Sequence, residues 1–113
     1  WFKPQQAGIQ RSKISSLQAQ ERLELGKQQL SNALEKNLSE VQKYQQVLDY
    51  YLDHGLDQAR LIRNTASLQM EEGEIDFFQY LQSMQRYTQT RLQYFETLRN
   101  YNLAIIELEY LSE

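Results

Sequence analysis

Cysteine is absent from the 113 residues, proline and histidine occur once each, and glycine occurs four times. Without cysteine the chain can form neither disulfides nor a thiolate nucleophile, and this says little about compartment. So few helix breakers argue against a fold built from many tight turns. No apolar run approaches the roughly 18 residues that span a bilayer as a helix. Nor does one sign of charge dominate: 12 Lys and Arg face 15 Asp and Glu, interspersed, for a net charge of −3. A surface of that kind has no basic stripe for nucleic-acid phosphates. Signal-peptide features are missing too, and the start at Trp1 reads as a segment of a longer protein.

What is abundant is glutamine, 17 residues, together with Leu, Glu, Lys and Arg. These are good helix formers. A mean hydropathy of −0.72 beside 41% hydrophobic residues fits long amphipathic helices with wide solvated faces. The spacing agrees. Leu23, Lys27, Leu30, Leu34, Asn37, Val41, Tyr44, Leu48 and Tyr51 alternate steps of four and three, a heptad seam with polar interruptions at Lys27 and Asn37. It continues through Leu52, Leu56, Ala59, Ile62, Ala66 and Met70. The two successive steps of four from Leu48 to Leu56 form a stutter, which unwinds a coiled coil locally. A kink or short break is therefore expected near His54-Gly55.

The clear stop is Glu71-Glu72-Gly73-Glu74. Gly73 can take the left-handed conformation that ends a helix, and Asp76 suits the start of the next. The expected fold is all-α: an extended start before Pro4, a helix over about 5–72, a turn at 72–74, and an antiparallel helix over about 75–111. In the last helix Tyr80, Tyr87, Tyr94 and Tyr101 recur every seven residues, with Leu108 continuing the series. Met84, Arg91, Leu98 and Ile105 follow each Tyr by four, and the two sets together form the predicted second seam. Phe78, Leu81, Leu92, Phe95 and Ile106 make a neighbouring stripe, so this helix should contact more than one neighbour. At about 1.5 Å per residue the last helix is on the order of 55 Å and an unbroken first helix on the order of 100 Å. The half of the first helix carrying Leu23, Leu30 and Leu34 then needs another partner, or the chain folds back at Gly55.

Few residues suggest chemistry. Asp49, Asp53 and Asp57 share a helix face beside His54, a pattern that could hold a metal. With one His and no Cys, a solvated acidic patch is the simpler reading, and no metal or cofactor is expected. Glu71, Glu72, Glu74 and Asp76 cluster at the turn with no pocket-forming sequence around them. They form a solubilising helix end, or a docking surface for a basic partner, rather than an acid–base pair. The tyrosine ladder could stack on bases or sugars, but at heptad spacing it reads as packing. No phosphate-binding glycine loop, nucleophile elbow or Cys/His metal spacing is present, and no catalytic residue is expected.

Three stretches resemble the TolC-like outer-membrane efflux family. Ala66-Ser67-Leu68-Gln69-Met70-Glu71-Glu72-Gly73-Glu74-Ile75-Asp76-Phe77-Phe78-Gln79-Tyr80-Leu81 is similar to its helix-ending Tyr-x-x-Gly turn, with an aromatic or aliphatic pair and a Leu after it. Trp1-Phe2-Lys3-Pro4-Gln5-Gln6-Ala7-Gly8 resembles its strand-to-helix Pro-Leu-Phe-x-x-Gly. Tyr101 to Leu111 resembles its closing Tyr…Ala…Leu-Glu-x-Leu. The flavour is that of the cation-efflux branch, which includes forms fused to a resistance–nodulation–division pump.

The resemblance implies a periplasmic hairpin from the second repeat of an outer-membrane channel in a Gram-negative bacterium. Three protomers would build the barrel and tunnel, and this fragment would make no direct membrane contact. Glu72, Gly73 and Glu74 would be the tip that docks a periplasmic adaptor and its inner-membrane pump. Gln79 and Gln82 would stand where family members often carry the aspartates of the channel entrance. Those two glutamines, and Met70 in place of the family's Tyr, depart from the pattern and put a charged cation gate in doubt. Two other readings follow from the residues alone: a generic coiled-coil scaffold or adaptor that binds partner helices, and a metal-binding regulator centred on His54.

Overall fold

A computed structural model describes residues 3–113, with side chains described from Gln5 onward. The chain is all-α. Helix α1 spans Lys3–Tyr50, a π-helical stretch spans Tyr51–Gly55, α2 spans Leu56–Glu71 and α3 spans Phe77–Ser112. The described residues include no strand. Trp1 and Phe2, where an extended start is expected, lie outside the described residues. Pro4 is already inside α1. In a helix's first turn proline loses nothing, because the N–H it lacks has no intrahelical acceptor there.

The chain divides into two units, residues 1–36 and 37–113. In the first, every side chain from Gln5 to Asn32 is exposed, Ile9, Leu17, Leu23 and Leu30 included. Its helix therefore rests on the intrinsic preference of its Gln, Glu, Lys, Arg and Leu residues.

The second unit is the hairpin. Its inward stripe on the first arm is Asn37, Val41, Tyr44, Leu48, Tyr51, Gly55, Ala59, Arg63 and Ala66, each buried or half-buried. On α3 the inward residues are Tyr80, Ser83, Tyr87, Thr90, Tyr94, Thr97, Tyr101, Ala104, Leu108 and Leu111. The α3 seam thus alternates a large ring with a small residue three positions on. Met84, Leu98 and Ile105, placed on the seam by heptad spacing, are half-buried as well, and Arg91 faces solvent. Two of its polar members are satisfied locally. Thr90 and Thr97 donate their hydroxyls to the carbonyls of Arg86 and Gln93, at 3.1 and 2.9 Å, the back-bonding open to threonine in a helix. The core is thin. Among the described residues only Leu48, Ala59, Ala66 and Ala104 are buried hydrophobics, because two helices without a further layer leave most large side chains partly exposed.

The stutter is absorbed as one π-helical stretch, not as a reversal. Tyr50, Gly55 and Leu56 keep right-handed helical angles. The seam then steps 51, 55, 59 in fours. Leu52, expected on the seam, is 56% exposed, and Gly55 is buried in its place. A Cβ at Gly55 would lie 2.9 Å from Tyr51 Cδ1 and 3.3 Å from Tyr50 Cε1. Glycine is what lets these rings lie over the backbone. Tyr51 meets Tyr94 of α3 edge-on, with centroids 6.1 Å apart at 67°, a favoured aromatic geometry.

Candidate functional site

The turn between α2 and α3 is built by backbone hydrogen bonds. Gly73 N–H donates to the Met70 carbonyl at 3.1 Å and Glu74 N–H to the Gln69 carbonyl at 2.8 Å. With Glu72 as C-cap and Gly73 at φ 76°, this is a Schellman closure, which satisfies carbonyls the helix end would otherwise orphan. A Cβ at Gly73 would meet no neighbour; only its left-handed backbone requires glycine. The chain then extends at Asp76 (φ −86°, ψ 173°), which caps α3. Gln79 N–H donates to Asp76 Oδ1 at 2.7 Å and Asp76 N–H donates to Gln79 Oε1 at 3.0 Å, a reciprocal capping box. The helix therefore begins at Phe77, slightly past the expected start at 75.

Glu71, Glu72, Gly73, Glu74 and Asp76 are all exposed. Glu72, Gly73 and Glu74 stand together at the turn, and of the carboxylates there only that of Asp76 is engaged among the described residues, by the capping box. Gln79 and Gln82 are exposed in the first turns of α3. They differ in freedom: Gln79 is held by the capping box, and no hydrogen bond engages the Gln82 side chain among the described residues.

Asp49, Asp53, His54 and Asp57 do not assemble. Among the described residues no three His, Cys, Asp or Glu side chains come together as potential metal ligands. The π-helical stretch falls between Asp49 and Asp57, and its i→i+5 bonding spoils the α-helical stacking of residues four apart. His54 instead lies beside Tyr50, with centroids 6.2 Å apart, and Asp57 pairs with Arg60 at 3.2 Å on the surface.

A cluster without a periodic signal gathers around Tyr87, joining the two arms. Half-buried Arg63 donates from Nη1 to the Tyr87 hydroxyl at 3.0 Å, and its guanidinium lies 4.8 Å from that ring's centre. Arg91 approaches the same ring at 5.6 Å and the Phe95 ring at 5.8 Å. The signal available was weak: Arg91 interrupts the expected seam, and Arg63 stands one place past it. Among the described residues no helix is long and apolar enough to cross a membrane. No family model matches this chain, and neither a curated protein nor a solved structure matches it.

Proposed function

We propose that this chain is a hairpin of the periplasmic tunnel wall of a TolC-like efflux channel, in the cell envelope of a Gram-negative bacterium. Its work is assembly and passive conduction. Copies in a trimer line a duct through which cations or small molecules leave, and the tip meets an adaptor coupled to an inner-membrane pump. The heavy-metal branch is the part of the family this reading favours.

The observation that carries the reading is the outer row of α3. Phe78, Leu81, Leu92, Phe95 and Ile106 are exposed although α3 already has a partner on its inner face. A helix with a second apolar row is built for a second neighbour, as a wall element must be. The thin core of the lone hairpin supports the same need. The capping role of Gln79 favours the other reading, a coiled-coil scaffold, because that side chain serves helix initiation and not a gate.

Two experiments test the proposal. In the intact channel, reversing charge with Glu72→Lys and Glu74→Lys should abolish adaptor capture and efflux while leaving hairpin helicity unchanged. Tryptophan at Gly73 is a poorer probe, because its left-handed backbone would strain any bulky residue. Separately, Leu92→Glu with Phe95→Glu should block assembly in light scattering without lowering the hairpin's own stability. Normal efflux and normal assembly in these variants would leave the scaffold reading standing.

A further inference from the structure

We propose that the flank of the hairpin between α2 and α3 binds a planar aromatic carboxylate. This inference does not rest on the efflux reading, though Phe95 belongs both to this groove and to the outer row of α3. A groove of about 300 Å³ there is lined by Leu56, Arg60, Tyr87, Arg91, Tyr94 and Phe95, a volume at the small end of ligand sites. Its walls combine two guanidinium groups with three aromatic rings.

The arginines are unequally committed. Arg60 pairs with Asp57 at 3.2 Å, and Arg63, just behind the groove, is held by the Tyr87 hydroxyl. Arg91 lies over the Tyr87 and Phe95 rings, and among the described residues no side-chain hydrogen bond or ion pair engages it. Arg63 and Arg91 both approach the Tyr87 ring, which gathers positive charge at this end of the groove. An anion at Arg91 offsets that charge.

Guanidinium offers a flat fork that takes a carboxylate through two parallel hydrogen bonds. The Tyr87, Tyr94 and Phe95 rings offer edges and faces to an aryl group. Cation–π contact with Tyr87 and Phe95 pre-orients the Arg91 fork. A purely acidic segment would leave the aromatic walls uncovered, and a neutral apolar one would leave Arg91 unused. An aryl carboxylate uses both.

The test is a titration of the 113-residue chain with 2-naphthoate, followed by NMR at the arginine Nε–H and tyrosine ring signals. Saturable shifts are expected at Arg60, Arg91, Tyr87 and Tyr94. Arg91→Gln should weaken binding about tenfold or more, the effect of losing a charge-assisted pair. Arg91→Lys should lose most of it, because an ammonium lacks the fork. Arg99→Gln, on the same helix outside the groove, should change nothing, and circular dichroism should show all variants equally helical. The proposal fails if no saturable shift appears, if Arg91→Gln and Arg99→Gln behave alike, or if acetate binds as well as naphthoate. It fails also if a glutamate-rich peptide displaces naphthoate at lower concentration, which would make the groove a site for an acidic protein.

Discussion

Asn37 donates from Nδ2 to the main-chain carbonyl of Ala104, 3.1 Å away and 67 positions further along the chain. It is 2% exposed, and its Oδ1 has no partner. A half-satisfied amide on a buried seam lowers stability and selects one axial alignment, the role buried asparagine plays in coiled coils. Asn37→Leu should therefore raise the free energy of urea unfolding by about 1 kcal/mol. Spin labels on the two arms should then report a broader distance distribution. A destabilised variant with one sharp distance would contradict this account.

Tyr87→Phe deletes the hydroxyl that Arg63 meets at 3.0 Å. With Arg63 half-buried, a loss of about 0.5–1.5 kcal/mol is expected in unfolding. A double-mutant cycle with Arg63→Met should return a coupling of similar size. Additive effects would mean that the pair does not act as one unit.

Two glycines should respond to alanine for different reasons. At Gly73 the backbone sits at φ 76°, so Gly73→Ala should lower stability by about 1–2 kcal/mol, and Gly73→Asn by less. At Gly55 the penalty comes from the Tyr51 ring, 2.9 Å from the new methyl. Moving that ring disturbs its edge-on contact with Tyr94, and a net loss of about 1 kcal/mol is expected. Near-ultraviolet dichroism of the tyrosines should change for Gly55→Ala alone.

Asp76→Ala removes the acceptor for the Gln79 N–H, and should lower stability by about 1 kcal/mol. Gln79→Ala removes only the reciprocal bond and should cost less. Hydrogen exchange at residues 77–80 should quicken in both. Unchanged exchange would show that the capping box does not hold the start of α3.

Much of this architecture was legible because its causes are local. Helix formers in unbroken runs, Gly73 at the stop and Asp76 at the next start act through neighbouring backbone atoms. The heptad rows located the hairpin arms for the same reason. The choice of inward residues was less legible. Heptad spacing put Met84, Arg91, Leu98 and Ile105 on the α3 seam, of which Arg91 alone is exposed, and passed over Ser83, Thr90, Thr97 and Ala104. The structure turns those small residues inward, alternating with the tyrosines, and leaves Leu92 and Phe95 on the outside. At the candidate site, the exposed acidic tip followed directly from the turn. Gln79's engagement with Asp76 and the gathering of Arg63 and Arg91 around Tyr87 did not, because neither has a periodic signal.

The amino-acid sequence by itself determined that the chain is helical, where it reverses and how its ends are capped, since each depends on contacts within about one turn of helix. Tertiary structure alone decided the rest. The facing of the arms selected ring against small side chain, converted the stutter into a π-helical stretch that buries Gly55, and brought Asn37 to Ala104. These outcomes depend on the volume available between two helices, which no single helix specifies.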